Sequence, residues 1–396
     1  MMSAVFGTRL AAGLTLAGLA TVGVACQPVA SPPPPPPQPV SQYCAPSAPA
    51  TAPEYQAAFD GLRNTYTEWV SADGAIPVAL PDGRTVWLFG DTYVGTVDSG
   101  GIIDPADGLI RNSMVVQTGN CFAPLMGGVA HARASLIPPS SAGQWWWPAS
   151  AAVDDNGQVL RVFVWDMVSG GPLGFEAVGM SMASFALPSL QFQGVQNLPF
   201  STDANHPYGA TAMVSGGDVY LYGDNARNAY VARAPLGYLP YAGAWQFLAG
   251  YDSSNQPIWS SQEAQATTLQ WNNMPPLDTA FGTGTGPDAQ PWVTPYGSGF
   301  LATAKMADVF SSDVSVSTAP TPAGPWTYAN PIATTAVPPG MDTYGAYTLS
   351  TSASNPIAAY SSNVASALFG PPAPLTISSY GPHFFVPSPP LPPPPP

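Results

Sequence analysis

Apolar positions in this chain come mostly in short runs broken by Gly, Pro, Asn, Asp and Ser. One run, Val86-Trp87-Leu88-Phe89-Gly90-Asp91, returns nearly unchanged as Val219-Tyr220-Leu221-Tyr222-Gly223-Asp224. Each is a stretch of apolar residues, then Gly, then a carboxylate. Each follows a turn signal, Pro81-Asp82-Gly83-Arg84 or Ser215-Gly216-Gly217-Asp218. A weaker copy, Val159-Leu160-Arg161-Val162-Phe163-Val164-Trp165-Asp166, follows Asp154-Asp155-Asn156-Gly157. Runs of β-branched and aromatic residues bounded by turn formers read as strands. Helical spacing is best sustained over residues 53–69, where Tyr55, Phe59, Leu62 and Tyr66 recur at intervals of three and four. The pattern predicts an all-β chain with one helix.

Recurrence also predicts how the strands are grouped. Two poorer copies follow, Phe300-Leu301-Ala302-Thr303-Ala304-Lys305 and a run from Pro356 to Asn363. The terminal positions Asp91, Asp166, Asp224, Lys305 and Asn363 stand 75, 58, 81 and 58 residues apart. Each interval accommodates a four-stranded sheet with its loops, which is one propeller blade. Further strands are expected at Tyr230–Arg233 and Val314–Ser317, and outer-strand marks at Gly243-Ala244-Trp245 and Gly324-Pro325-Trp326. The expected fold is a five-bladed β-propeller. A pair of β-sandwiches explains the repeats less well.

Hairpin arithmetic places the repeated carboxylates. A two-residue loop at Asp82-Gly83 sets Asp91 opposite Gly74, and a three-residue loop centred on Asp82, or one bulge, sets it opposite Asp73. Either way Asp73 and Asp91 meet at the open end of one hairpin. If they share a face, like charge raises one pKa, the condition for an acid beside a base. The competing structural reading is that Asp91 caps a turn and Asp73 starts one. The same arithmetic sets Asp166 near Trp147, and Asp224 near Tyr208 and Gly209. Carboxylates beside aromatic rings suit sugar binding. Within Trp145-Trp146-Trp147, alternation is expected to bury Trp146 between blades. Asp203 and His206 precede Tyr208 on an expected loop; His206 is a candidate ligand, although a lone His before Pro207 is more often structural.

Composition narrows the function. Of 396 residues, nine are Lys or Arg, against 23 Asp or Glu, for a net charge of −14. A basic face for nucleic acid is therefore not available, and neutral polysaccharide is the expected partner. Nucleophile-elbow, zincin, phosphate-loop and Cys-cluster motifs are absent from the sequence, and the three His are far apart. No cofactor is expected, although a Ca²⁺ ion on Asp and carbonyl oxygens is compatible with a propeller. Residues 1–25 read as an export signal. Cys26 is then a lipidation candidate, although Gly23 stands where Leu or Val is preferred. Residues 26–41 and 387–396 are Pro-rich and expected as extended spacers, leaving residues 42–386 as the propeller. With Cys26 lipidated or free, Cys44 and Cys121 form the expected disulfide. The expectation is a monomer, secreted or anchored to the outer face of the cell envelope, touching membrane only through a lipid.

The segments Ala72-Asp73-Gly74 and Leu80-Pro81-Asp82-Gly83-Arg84-Thr85-Val86-Trp87-Leu88-Phe89-Gly90-Asp91-Thr92 resemble the signature of glycoside hydrolase family 183. Arg111-Asn112-Ser113, Val219–Asp224, Tyr230–Arg233 and Ala323–Trp326 support the resemblance, which spans most of residues 60–365. It implies a five-bladed propeller that cleaves D-arabinan internally, as in arabinogalactan and lipoarabinomannan. It also implies catalytic positions at Asp73 and Asp91. Arg111, Asn112, Trp147, Asp166, His206, Tyr208 and Asp224 are the candidate substrate-binding residues. A non-catalytic glycan-binding or adhesion propeller is the alternative.

Overall fold

The structure, a computed structural model, describes residues 42–65, 68–104, 107–171, 174–200, 208–225, 228–274, 291–305, 310–335, 340–352, 354–364 and 374–395. Five sheets of three or more strands follow one another along the chain, as the repeats predict, antiparallel except where Trp271–Asn272 pairs in parallel with Trp326–Thr334 at the edge of the fourth. Their first strands are Trp69–Ala79, Gln144–Asp154, Thr211–Ser215, Trp292–Tyr296 and Met341–Ser350. Each of these touches the next, and the last touches the first. That closed ring of first strands makes the fold a five-bladed β-propeller. The expected helix is present as Ala52–Thr65, shorter than the expected 53–69: Trp69 already opens the first strand, and Tyr66 lies outside the described residues.

Each repeated run is the second strand of its blade: Thr85–Val94, Val159–Ser169, Asp218–Asn225, Gly299–Lys305 and Ile357–Val364. All five run in the same sense, so their C-terminal ends gather on one face of the ring. The carboxylates do not all end their strands, however. Pairing continues past Asp91 to Val94 and past Asp166 to Ser169. Alternation along the second blade shows why the runs are so apolar. Val162 and Val164 pack toward the first blade, and Phe163 and Trp165 toward the third. A strand buried on both faces needs apolar residues at both parities.

The first and fifth blades are joined by the helix. Among the described residues the fifth blade has three strands, the third being Gly381–Phe385. The helix packs against that strand. Phe59, fully buried, touches Trp87, Phe89, Phe122 and Phe384 with ring centroids 5.2–5.9 Å apart. Gln56 Oε1 accepts the Phe384 backbone N–H at 3.1 Å. Helix periodicity thus arises because one helical face fills the seam.

On the first blade's outer edge, the short strand Tyr43–Cys44 pairs with Cys121–Leu125, and a disulfide joins Cys44 to Cys121. The C-terminal Pro-rich segment, expected as an extended spacer, lies along the fourth blade. Leu391 packs against its core, Ser388 N–H donates to Ile332 O at 2.7 Å, and Tyr296 donates its hydroxyl to Pro392 O. Proline lacks the N–H needed to add a strand, yet its carbonyl still accepts. Cys26 and the rest of residues 1–41 lie outside the described residues.

Replacing Phe59 by Ala removes a ring surrounded by four aromatic neighbours. The expected loss is about 3–5 kcal/mol of unfolding free energy, measured by chemical denaturation. A loss near zero would show that the helix does not belong to the core.

Candidate active site

The first hairpin decides how its carboxylates meet. Leu80 N–H donates to Arg84 O, and Gly83 N–H to Leu80 O, closing a three-residue loop centred on Asp82. Pairing then runs from Ala79↔Thr85 to Ile76↔Leu88, shifts by one at Gly74↔Phe89, and returns at Ala72↔Thr92. Two opposing bulges produce this. Ala75 is the extra residue of the first strand, and Asp73 faces both Gly90 and Asp91 across the second. The first bulge needs left-handed backbone at Gly74 (φ 107°) and Ala75 (φ 64°). The three-residue reading, which sets Asp73 at Asp91, matches this register on both sides of the bulges; the two-residue reading does not. The loop fixes the starting register, and the bulges bring both carboxylates to one place.

Gly90 makes the approach possible. A Cβ there would stand 2.6 Å from Asp73 Oδ1 and 3.8 Å from Trp147 Cδ1. The glycine of the repeated run therefore leaves room for a carboxylate lying over it.

The two carboxylates have different partners. Asp91 Oδ2 accepts from Arg111 Nη1 at 2.8 Å, and Asp91 Oδ1 from Trp147 Nε1 at 2.7 Å. Arg111 lies over the Trp145 ring, 4.4 Å from its centroid. Asp73 Oδ2 accepts from the Tyr344 hydroxyl at 2.6 Å. Tyr344 comes from the fifth blade, as does Ser361, whose Oγ accepts the Gly74 N–H at 3.0 Å. Tyr380 donates its hydroxyl to the Asp91 backbone oxygen at 2.8 Å.

Burial, reinforced by the charge of Asp91, pushes the Asp73 carboxyl up to about 7. Burial also raises Asp91, against the opposing pull of Arg111 and Trp147. Tyr344 is raised well above its ordinary value by burial and by the carboxylates, so it remains a donor. Asp73 is thus the member that holds a proton near neutrality. Asp91, with both oxygens engaged by donors, is the member stabilised as an anion.

The other expected site residues divide. Arg111 and Trp147 stand at the pair, through Asp91. Asn112 does not reach it. That residue is 1% exposed, donates to Ile137 O and Trp146 O, and accepts the Ile137 N–H, so its amide is used in joining two blades. Tyr208 is buried too, among Phe200, Tyr230 and Phe247. It is a core residue rather than a sugar contact. Asp166 pairs with Trp146, not Trp147, because Ala149 is bulged between Phe163↔Ser150 and Val164↔Pro148. Its Oδ2 accepts from Ser181 at 3.0 Å, and burial raises its pKa to about 6. Of the three tryptophans the most buried is Trp145; Trp146 packs half-buried between the first two blades and donates to Pro138 O. His206, Asp203 and the Asp224 side chain lie outside the described residues.

Tyr344, Ser361 and Tyr380 escaped sequence reasoning. They stand some 270–290 positions from their partners; Ser361 lies in the fifth copy of the run, while Tyr344 and Tyr380 lie in no copy of it. Among the described residues no group of three or more His, Cys, Asp or Glu is placed to hold a metal ion.

Residues 56–367 match the profile of a family described as a domain of unknown function, DUF5005. Comparison with curated proteins found no significant match. Among solved structures, the chain is similar to "a putative hydrolase from Bacteroides ovatus" at 18% identity and TM-score 0.61, over 83% of this chain and 88% of that one. It is also similar to the GH43_1 enzyme from Xanthomonas citri complexed with xylotriose, at 14% identity and TM-score 0.45, over 83% and 92%. At these identities the likeness concerns the fold.

Two outcomes follow from the geometry. Gly90→Ala should fold but displace Asp73, with activity falling at least tenfold; unaltered activity would show that the close approach is unimportant. Asp73→Asn removes a carboxyl whose ionisation is opposed by burial. The native state holds its proton up to about pH 7 and the unfolded chain loses it near pH 4, so that residue destabilises the fold progressively as pH rises between those values. The variant should therefore gain melting temperature over the native chain at pH 8, and gain less at pH 5.

Proposed function

The chain belongs to the DUF5005 family, and from the carboxylate pair of its first blade we propose that it is a glycoside hydrolase. The observation that carries this reading is the division of labour between Asp73 and Asp91. Cleavage of a glycosidic bond needs one carboxylic acid that still holds its proton and one carboxylate that does not. Asp73 protonates the leaving glycosidic oxygen. Asp91 supplies the electron pair on the other side, to the anomeric carbon or, by taking a proton, through an attacking water. Its anionic form is supported by Arg111 and Trp147.

The substrate we propose is D-arabinan of cell-envelope polysaccharides, cleaved within the chain. The likeness of the first-blade motif to glycoside hydrolase family 183 supports this, as does the scarcity of cationic residues. Aromatic surface at the pair suits a sugar ring: Trp147 packs edge-on to Phe175, 4.8 Å between centroids. Export through residues 1–25, anchoring through Cys26 and action as a monomer are part of the same proposal.

The test is size-exclusion chromatography of D-arabinan after incubation with the protein. Shortened oligosaccharides are expected. Saturable binding with no change in size would support a glycan-binding propeller instead. Asp73→Asn and Asp91→Asn should each lower kcat by about 10²–10⁴, the usual contribution of a positioned acid or base; full activity in both would overturn the assignment. The pH profile should be bell-shaped. Activity falls as pH rises through about 7, where Asp73 loses its proton, and falls in acid as Asp91 gains one. Replacing Tyr344 by Phe should move the alkaline limb to higher pH, because a donor to the carboxylate form is lost.

A further inference from the structure

A cavity of about 550 Å³ plays no part in the chemistry above. It sits between the C-terminal turn of the helix, the loop that follows the Asp91 strand, and the loop before Gly381–Phe385. Arg63, Asn64, Asp98, Ser99, Thr376 and Ser378 line it. Val97 and Ile377, also in its wall, pack in one cluster with Tyr93 and Tyr380. Tyr380 is the residue that donates to the Asp91 backbone oxygen. Through that cluster the wall of the cavity connects to the residue that holds the Asp91 backbone.

Its polar groups are only partly engaged. Arg63 is 4% exposed, donates from Nη1 to Ile377 O at 2.5 Å and from Nη2 to Pro382 O at 3.3 Å, and its buried Nε has no partner among the described residues. The nearest carboxylate, Asp60, is 3.5 Å from Nη1 and half-exposed. Asp98 uses Oδ1 to accept the Gly100 and Ile102 N–H groups at 2.8 and 2.9 Å, which fixes its loop and leaves Oδ2 as an acceptor.

A guanidinium and a carboxylate in one lining discriminate by charge. An anion would meet Asp98 in a chain of net charge −14, and a cation would meet Arg63. A neutral molecule dense in hydroxyl groups can both accept from the one and donate to the other. A second cavity, of about 260 Å³, adjoins the first across Ser378 and contains the stacked pair Tyr360 and His383, 5.1 Å between centroids. Two depressions on either side of one ridge suit a chain of sugars better than a single ring.

We propose that the Arg63–Asp98 cavity is a distal subsite that holds a neutral sugar residue of the polymer while another is cleaved at Asp73 and Asp91. This rests on the glycosidase reading above. Binding by the full chain is measured calorimetrically in an Asp73→Asn background, with D-arabino-oligosaccharides of increasing length as probes. Asp98→Asn keeps the Oδ1 acceptor that shapes the loop and removes the charge; Ser378→Trp, at an exposed position, fills the cavity. Each should weaken binding of long oligosaccharides about tenfold and leave the shortest ones unaffected. If the Asp73→Asn parent binds long oligosaccharides and both added substitutions leave that affinity unchanged, the subsite is wrong and the glycosidase reading stands. If the parent binds none of them, both fall. Should Ser378→Trp fail to fold, the Asp98→Asn result decides alone.

Discussion

Closing the ring between the first and fifth blades is the constraint on which the rest of the structure depends. The fifth blade presents Tyr344 to Asp73, and Ser361 to the backbone beside it. Tyr380, from the loop that leads back into that blade, holds the backbone at Asp91. The helix is what makes the closure tight, through Phe59 and the four aromatic rings around it. Arg63, one turn further along, grips the loop that carries Tyr380 through its carbonyls. The first-blade carboxylates are therefore positioned from two sides. One is their own hairpin and the other is a seam formed by residues almost a full chain length away.

Electrostatics give that closure its chemical consequence. Two carboxylates in one enclosed place cannot both ionise cheaply. The protein resolves the competition by unequal support. Asp91 receives a guanidinium and an indole N–H, while Asp73 receives, among the described residues, only neutral donors, Tyr344 across the seam, Tyr380 and the Asp91 backbone, and no cation. The proton accordingly stays with Asp73 near neutrality. In the fourth blade a Lys stands where three other blades carry Asp. There Lys305 Nζ donates to Ser311 O and Thr343 Oγ1 at 2.6 and 3.0 Å, tying the fourth blade to the fifth. The same repeat position thus serves charge chemistry in one blade and blade-to-blade connection in another.

Much of the fold was legible in the sequence, because propeller blades repeat the same physical problem. Each second strand lies between two blades and ends near a polar surface, so the apolar run recurs, closing in Gly-Asp in the first and third blades. The helix was legible from Tyr55, Phe59 and Leu62, whose spacing reflects a single buried face. Candidate roles were less legible. Trp147 and Arg111 were singled out as sugar contacts and prove to be partners of Asp91. Asn112 and Tyr208 lie near polar motifs in sequence but are buried in contacts between blades, where side-chain direction rather than residue type decides what is reached. Bulges also change register: Ala149 shifts Asp166 by one position, whereas those at Ala75 and Asp73 offset each other in the first hairpin.

The sequence by itself determined the number of blades, the position of the helix and the presence of Asp73 and Asp91 on one hairpin. Those features depend on local patterning, turn chemistry and repetition, all of which are written within a few tens of residues. Only the tertiary structure decided which of the two carboxylates keeps its proton. That outcome depends on burial and on donors from Arg111, Trp147 and Tyr344, groups brought together by ring closure rather than by spacing along the chain.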